Sequence, residues 1–360
     1  MNPFTYDAIG GRVVFGPGTL GRLPEELDAL GASRVLLLAG ERHAEPVHGV
    51  LGDRVAGHVR DVVQHVPVEA AAEARALAAE LKPDALLAVG GGSAIGLGKA
   101  VALDVTLGDP PLVAVPTTYS GSEMTTIWGL TEGGHKRTGA DHRVKPRVVV
   151  YDPDLTLGLP PRVSGPSGMN ALAHCVEALY GPRANPVTTL LALEGMRALH
   201  RSIPAVCARP GDLAARTEAL YGAYLAGTAL ASAGTALHHK ACHVLGGTFG
   251  LDHGDANAVV LGHALAYNAP AIPEALARIE EALGTAPGDA PGALFDLAVA
   301  VGAPAGLAAA GMPAAGLDEA TRRIVAEAAG NVRPPEPEGI RRMLDDAFAG
   351  RRPGPVPAHR

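Results

Sequence analysis

The sequence predicts an α/β domain followed by an all-helical domain. In the first 150 residues, short apolar runs alternate with helical segments, which is typical of a doubly wound, mostly parallel sheet. A stretch rich in turn formers interrupts this alternation at residues 155–161. No convincing strand pattern follows the break, whereas helical patterns continue to residue 349. We therefore predict an α/β domain over residues 1–158 and a helical domain over residues 159–360.

Short apolar segments are expected to supply the strands of the sheet. They lie at residues 13–15, 34–39, 85–89, 112–115 and 148–151. Apolar runs of this length, bounded by turns, are typical of strands that a parallel sheet buries on both faces. Between them, Thr19 is expected to cap a helix that runs through Leu27, and the alanine-rich residues 70–81 are expected to form another.

The second half of the chain carries only helical patterns. The clearest of them lie at residues 169–180, 186–202, 213–231, 236–245 and 256–267. Several more are expected before Ala349. The tail at residues 351–360 is basic and proline-rich, and we expect it to be frayed.

The composition is ordinary for a globular enzyme and argues against several other classes. With 360 residues, of which 47% are hydrophobic and 19% charged, the chain can form two domains with substantial cores. Its net charge of −7 argues against a general nucleic-acid surface. The three cysteines form no CxxC pair, no signal peptide is evident, and no apolar stretch reaches the roughly 20 residues of a membrane helix. We expect a cytoplasmic protein without nucleic-acid or membrane partners.

Two polar loops follow predicted strands. The segment Gly90-Gly91-Gly92-Ser93 lies between a strand and a helix beginning near Ala94, where backbone N–H groups and the helix N-terminus favour a phosphate. It is not the GxGxxG fingerprint, and an ordinary tight turn is the alternative. The loop Pro116 to Glu123 follows the next strand and should line a ligand crevice. Helix capping would also explain its Ser and Thr residues.

Histidines are concentrated in one segment of the second half. Four of the 14 histidines lie within residues 237–253, namely His238, His239, His243 and His253. His239 and His243 are four residues apart, so they share one face of a helix, and Asn170 and His174 repeat that spacing. Two helical pairs and a loop histidine suggest a metal-like pocket between helices. One expected carboxylate in it is an amide, Asn170.

Together these motifs resemble the iron-containing alcohol dehydrogenase family over nearly the whole chain. The resemblance is carried by Phe15-Gly16-Pro17-Gly18, Gly90-Gly91-Gly92-Ser93, Pro116-Thr117-Thr118, Lys145 with Asp152-Pro153, Asn170 with His174, and residues 239–254. Their order and spacing are specific jointly, although no single motif is. The resemblance implies an N-terminal dinucleotide-binding domain, a C-terminal helical domain and a homodimer.

Within the family, the chain is most similar to members that reduce the C=C bond of maleylacetate to give 3-oxoadipate in aromatic-compound catabolism. Alcohol dehydrogenases of the family usually carry aspartates where Gly96 and Asn170 stand, and both departures match that subgroup. The resemblance therefore implies an NAD(P)H-dependent oxidoreductase that acts on a small dicarboxylate.

The resemblance also implies which residues form the site. The cofactor would bind at Gly40, Gly91, Gly92, Ser93, Thr117, Thr118, Ser120 and Lys145. The substrate would bind at Asn170, His174, His238, His239 and Lys240, with His243, His253 and Tyr119 as catalytic proton donors. NAD-restricted relatives often place an aspartate against the ribose where Gly40 stands here. NADH and NADPH should therefore both be usable.

Metal-using relatives hold a divalent ion at the positions that match Asn170, His174, His239 and His253. An amide in place of a carboxylate removes a negative charge and a strong oxygen ligand. We therefore expect a degenerate site at which metal is not required, although three neutral histidines would still be able to hold zinc or iron. Without metal, protonated histidine or tyrosine donors would stabilise the enolate oxygen of the reacting substrate.

Three alternatives stay open at this point. The first is a metal-dependent alcohol or aldehyde dehydrogenase of the same family, acting on another small carbonyl substrate. The second is a metal-dependent lyase similar to dehydroquinate synthase, which uses its cofactor only transiently. The third is a binding protein that has lost its chemistry, although the retained histidines argue against it. Metal analysis and net turnover of NAD(P)H would separate these possibilities.

Overall fold

The computed structural model describes residues 3–133 and 135–356. The chain forms two compact units. One consists of residues 9–159 and the other of residues 160–356 together with residues 3–8. Within the second unit, the Ser232 hydroxyl donates to the carbonyl of Asp7 at 3.1 Å, which ties the N-terminal segment to a helix.

A six-stranded parallel sheet forms the centre of the first unit. Its strands are β1 (Arg12–Phe15), β2 (Val35–Leu38), β3 (Val55–Val59), β4 (Ala85–Gly90), β5 (Leu112–Pro116) and β8 (Val148–Tyr151). Their order across the sheet is β1-β8-β5-β4-β2-β3, and all neighbouring pairs are parallel. A separate antiparallel hairpin is formed by β6 (Ile127–Glu132) and β7 (His135–Ala140).

Helices cover both faces of this sheet. They are α1 (Leu23–Ala29), α2 (Glu41–Leu51), α3 (Val68–Leu81) and α4 (Gly92–Ala102). Successive strand residues point to opposite faces, so Leu37 packs with α1 and α2, while Leu36 and Leu38 pack with α3 and α4. The predicted doubly wound α/β architecture is confirmed.

The second unit is helical. Its helices are α5 (Pro161–Ala178), α6 (Pro186–Ala208), α7 (Leu213–Ala233), α8 (Leu237–Phe249), α9 (His253–Asn268), α10 (Pro273–Leu283), α11 (Ala290–Ala300), α12 (Leu317–Glu327) and α13 (Pro337–Ala349). Between residues 160 and 356 the structure contains no strand, as the sequence predicts. Among the described residues, no helix is long and apolar enough to cross a membrane.

The predicted cap at Thr19 is wrong. Residues Thr19–Arg22 form a single turn of 3₁₀ helix, and α1 begins only at Leu23 without a side-chain cap. The Thr19 hydroxyl instead donates to the carbonyl of Gly16 at 2.7 Å. The turn is held by Asp152, whose carboxylate accepts from the backbone N–H groups of Gly18 and Leu20 at 3.0 and 2.8 Å.

The prediction of a frayed tail is wrong for the part of the tail that the structure describes. Arg352 binds the carboxylates of Asp289 and Asp296 at distances between 2.9 and 3.0 Å. Beyond it, the backbone N–H of Val356 donates to the carbonyl of Gly288 at 2.9 Å. Sequence reasoning had no means of locating the distant partners of Arg352. Residues 357–360 lie outside the described part of the chain.

Candidate active site

Three helices of the second unit carry the predicted substrate and catalytic residues. On α5, Asn170, His174 and Glu177 are spaced by four and three residues, which places them on one face, and all three are buried. The first turn of α8 carries His238 and His239, and His243 follows one turn later. His253 is the first residue of α9, where Asp252 caps the helix by accepting from Gly254 N–H at 2.9 Å.

These helices bring the histidines together in pairs. The rings of His174 and His239 stack with centroids 4.7 Å apart and planes inclined by 20°. The rings of His243 and His253 lie 6.4 Å apart with planes inclined by 19°. His174 and His239 are almost fully buried, whereas His243 and His253 are half-buried. The expected convergence of α5 with the histidine-rich segment is present in the structure.

Glu177 lies at the centre of this cluster, and sequence reasoning missed it. Its carboxylate accepts from the backbone N–H of Ala236 at 3.0 Å and of His238 at 2.7 Å. The same carboxylate lies 2.7 Å from Nδ1 of His239. Burial raises the pKa of Glu177, while the charge of His238 and these N–H groups act in the opposite direction. Glu177 lies on the same face of α5 as Asn170 and His174, and this spacing is the sequence signal that could have identified it.

His238 is held by the protein rather than presented to a ligand. Its side chain is fully buried, and Nε2 lies 2.9 Å from the carbonyl oxygen of Asn257. The thiol of Cys242 lies 3.6 Å from the same nitrogen. These contacts favour a structural role for His238 over the substrate-binding role that the resemblance implies.

Several buried polar atoms of the cluster have no hydrogen-bond partner among the described residues. They are Oδ1 of Asn170, Nδ1 of His174 and Nε2 of His239. Buried polar atoms are usually paired, because an unpaired one costs about 1–3 kcal/mol. Unpaired atoms concentrated on neighbouring residues therefore indicate a site that a ligand completes.

The pKa values of two buried histidines of the site favour their neutral form. Burial lowers the pKa of His174 and of His239 well below the usual value, and the neighbouring His253 lowers both further. Neither residue is therefore suited to stabilise the substrate oxygen as a protonated imidazole, and the predicted proton donors are other residues, His243, His253 and Tyr119. In neutral form, an imidazole nitrogen that carries no proton offers a lone pair.

This donor set fits a divalent ion by type. Neutral imidazoles and an amide oxygen are ordinary metal ligands, and the carboxylate of Glu177 is placed as the outer partner of a ligating histidine. The candidate ligands Asn170, His174, His239 and His253 include no carboxylate, and the nearby carboxylate of Glu177 is occupied by three hydrogen-bond donors. The prediction that metal is not required therefore finds no support in the donor types, although the missing charge weakens a site for a hard cation.

In the first unit, the predicted cofactor residues lie at the carboxyl ends of neighbouring strands. Gly40 follows β2 and precedes α2, while Gly91 caps α4, which begins at Gly92. A Cβ atom on Gly91 would lie 3.0 Å from Cγ2 of Thr118, so a larger residue would fit against that loop only if Thr118 shifted. The side chain of Ser120 approaches Gly92 in the same way, at 3.7 Å from the position of a Cβ atom. The two predicted ligand loops thus lie side by side.

Of the remaining predicted residues of this unit, Thr117, Tyr119 and Lys145 are buried, while Ser93 is partly buried. Tyr119 has no exposed surface, which favours a packing role over proton transfer. The ammonium of Lys145 lies 3.3 Å from the carbonyl of Pro146 and 3.4 Å from that of Glu123. Burial lowers the pKa of Lys145 to about 8.

Sequence reasoning also missed a buried pair that supports the second loop. Lys99 on α4 donates to the carbonyls of Ser122, Thr125 and Ile127 at 2.6, 2.9 and 2.8 Å. Glu123 accepts from the hydroxyl of Tyr151 at 2.8 Å and from that of Ser120 at 3.3 Å. Nothing in the sequence distinguishes these two charged residues from solvated ones.

A glycine loop at the edge of a parallel sheet, together with a buried imidazole cluster in a helical unit, is the arrangement of a two-domain dinucleotide-dependent enzyme. The family model for iron-containing alcohol dehydrogenases matches residues 10–153. The model for the C-terminal part of that family matches residues 165–348. The chain belongs to the iron-containing alcohol dehydrogenase family and is an oxidoreductase.

Known relatives cover the chain almost completely. It is 48% identical to a maleylacetate reductase from Burkholderia cepacia, over 98% of this chain and 100% of that protein. Two solved structures are similar in fold. A putative alcohol dehydrogenase from Ralstonia eutropha has a TM-score of 0.95 at 49% identity and covers 98% of this chain and 100% of its own. Maleylacetate reductase from Agrobacterium tumefaciens has a TM-score of 0.92 at 42% identity, with the same coverage.

Proposed function

We propose that the chain reduces the C=C bond of maleylacetate to give 3-oxoadipate, with NADH or NADPH as hydride donor. The observation that carries the proposal is the buried cluster of Asn170, His174 and His239, with an amide in place of an aspartate. It occurs in a chain that is 48% identical to a maleylacetate reductase over nearly its full length.

The substrate is a ketone conjugated to an alkene. Hydride from the nicotinamide adds to the alkene carbon distant from the ketone, and the electron pair of the alkene moves towards the ketone oxygen to form an enolate. A proton then adds to the carbon next to the ketone, which completes the reduction. One NAD(P)H and one proton are consumed for each product formed.

The chain's own residues have separate roles in this scheme. The loops at Gly91-Gly92-Ser93 and Thr117 to Ser120 bind the cofactor, with Gly40 and Lys145 nearby in the same unit. His243, half-buried and stacked on His253, delivers the proton to carbon. Lys240 on α8 is the cationic group for one carboxylate of the dianion. Where a divalent ion is bound, Asn170, His174, His239 and His253 would hold it, and it would polarise the ketone oxygen.

The direct experiment follows absorbance at 340 nm with maleylacetate and either reduced cofactor. Oxidation of NADH or NADPH in proportion to the product supports the proposal. Absence of oxidation with both cofactors contradicts it, and turnover of a dehydroquinate-synthase-type substrate without net oxidation would favour the lyase instead.

A second function is supported by the unpaired acceptor atoms of the cluster. Asn170 Oδ1 and His239 Nε2 are acceptors that a bound ion would complete, which suits a metal-dependent dehydrogenase of alcohols or aldehydes. Such an enzyme would oxidise small alcohols with NAD⁺, lose that activity on chelation and regain it with added iron or zinc. Greater specificity for maleylacetate than for every alcohol or aldehyde tested would exclude it.

Both reduced cofactors should be accepted. Gly40 offers no carboxylate to a ribose, and Glu41 is engaged by Arg60 at 3.0 Å. A 2′-phosphate is therefore not repelled by a fixed negative charge at Gly40. We expect specificity constants for NADH and NADPH within about a thousandfold, or ~4 kcal/mol. A larger ratio would contradict a permissive site.

The assembly in solution is proposed to be a homodimer. Strand β1 is at one edge of the sheet and pairs only with β8 among the described strands, so its other side is available to a second copy. A molecular mass by light scattering equal to one chain would contradict the proposal.

A further inference from the structure

The carboxylate of Glu177 connects two helices of the candidate site. Glu177 has no exposed surface and lies on α5. Among the described residues, the hydrogen-bond partners of its carboxylate are Ala236, His238 and His239, which belong to α8 or directly precede it. The contacts therefore fix the carboxylate against the start of α8.

The two contacts with backbone N–H groups determine whether His239 Nδ1 donates or accepts in the third contact. Oε1 accepts from the backbone N–H of His238, and Oε2 accepts from that of Ala236. A backbone amide always donates, so both oxygens accept in these two contacts, and the ionised carboxylate has no proton of its own to give to His239. His239 Nδ1, 2.7 Å from Oε2, then donates its proton to the same carboxylate. Nε2 of the neutral ring is left with a lone pair.

The neighbouring histidine leads independently to the same tautomer. His238 Nε2 lies 2.9 Å from the carbonyl oxygen of Asn257, which can only accept, so this nitrogen carries the proton. His238 Nδ1 therefore presents a lone pair, and it lies 3.3 Å from Nδ1 of His239. That lone pair also favours a proton on Nδ1 of His239. Nε2 of His239 is buried without a hydrogen-bond partner among the described residues.

We propose that Glu177 is a positioning residue that holds His239 as the Nδ1–H tautomer, so that Nε2 offers a lone pair to whatever occupies the site. His239 is then an acceptor or a metal ligand, and not a donor to the ketone oxygen of a substrate. The proton that reaches the enolate comes from a different residue. The inference rests on the proposed function only in placing His239 at the substrate.

Nuclear magnetic resonance of the purified protein labelled with ¹⁵N-histidine tests the tautomer directly. The His239 signals are identified as those missing from His239→Gln. We expect a protonated Nδ1 and a bare or metal-bound Nε2 in the wild-type protein. A proton on Nε2 would overturn the proposal. This measurement needs no substrate, so the outcome stands even where maleylacetate is not turned over.

Two variants test whether Glu177 is the cause. Glu177→Gln keeps the size of the side chain but replaces one acceptor oxygen by an NH₂ group, and we expect the Nε2–H form of His239 to appear. Asn331→Ala is the matched control, because Asn331 accepts from Leu237 N–H at 3.2 Å and so supports the same helix start without contacting His239. An unchanged tautomer in Glu177→Gln, or the same change in both variants, would overturn the role of Glu177. Should Glu177→Gln not fold, Glu177→Asp takes its place: a shift towards Nε2–H supports the role, and an unchanged tautomer overturns it.

Discussion

Asn170 belongs to the buried cluster that it forms with His174 and His239. It places a neutral amide where metal-using members of the family carry an aspartate. Its oxygen is buried and unpaired, and it shares one face of α5 with His174. A carboxylate at this position would add both a negative charge and a stronger oxygen ligand. The balance between metal use and metal independence therefore depends on this residue.

Asn170→Asp is expected to increase affinity for Zn²⁺ by about tenfold or more, because a hard, charged ligand joins neutral imidazoles. Titration calorimetry with Zn²⁺ measures the change. Asn331→Asp is the control, since it adds a carboxylate to the same unit without joining the α5 face that carries His174. Equal affinity in the wild type and Asn170→Asp would show that residue 170 is not a ligand.

His243, like His253, is only half-buried, whereas His174 and His239 are buried, so it can exchange protons with solvent. We expect His243→Gln to lower kcat for maleylacetate by about 10²- to 10⁴-fold with little change in KM, as for loss of a general acid. Steady-state rates at 340 nm measure both constants. His48→Gln, at an exposed position in the first unit, should leave them unchanged. A rise in KM alone would assign His243 to binding instead.

Asp84 ties the beginnings of two adjacent strands together. Its carboxylate accepts from the N–H groups of Ser33 at 2.9 Å and Arg34 at 2.7 Å, just before β2, while β4 begins at Ala85. Although burial acts to raise the pKa of Asp84, these hydrogen bonds lower it below the ordinary value of 3.8. The contact therefore joins β2 and β4, the strands that precede Gly40 and the glycine loop.

A carboxyl with a lowered pKa stabilises the fold above its unfolded pKa and loses that contribution as pH falls through its folded pKa. We expect Asp84→Asn to reduce the free energy of unfolding by about 1 kcal/mol at pH 7, with the difference shrinking below pH 4. Urea unfolding at pH 7 and at a pH below 4 measures this difference in the free energy of unfolding. Asp53→Asn, an exposed substitution in the same unit, should show no such dependence. A pH-independent difference would assign the loss to packing.

The buried elements were predictable from the sequence, and the partly exposed ones were not. Strand β8 coincides with its predicted bounds and β4 exceeds them by one residue, because both are continuous apolar runs. Strand β3, in contrast, is half-buried along its length, and the hairpin of β6 and β7 is largely polar, so neither carries an apolar signal. Helix spacing likewise placed Asn170 with His174, and His239 with His243, on common helix faces, but only the structure shows the stacking of His174 on His239. The roles of Lys99 and Glu177 depend on partners distant in sequence.

At the scale of the whole molecule, the proposed chemical roles are divided between the two units. The predicted phosphate-binding loops belong to residues 9–159, whereas the cluster of Asn170, His174 and His239 and the half-buried histidines belong to the helical unit. A loss of activity can therefore come from loss of the cofactor, of an ion or of the proton donor. Only a measurement on the intact protein separates these causes.

Removal of metal from the intact protein shows whether loss of an ion is the cause of a loss of activity. The conjugated alkene of maleylacetate accepts hydride more readily than an isolated ketone does, and none of the four candidate ligands is a carboxylate. We therefore expect prolonged treatment with a chelator to lower kcat for maleylacetate by less than about twofold. Metal content by mass spectrometry, measured on the same samples, confirms that the ion is gone. NADH titration by fluorescence is the control, since the cofactor loops contain none of the cluster residues. A fall of more than about tenfold, restored by adding back Zn²⁺ or Fe²⁺, would make the ion essential and favour the metal-dependent dehydrogenase chemistry of the family.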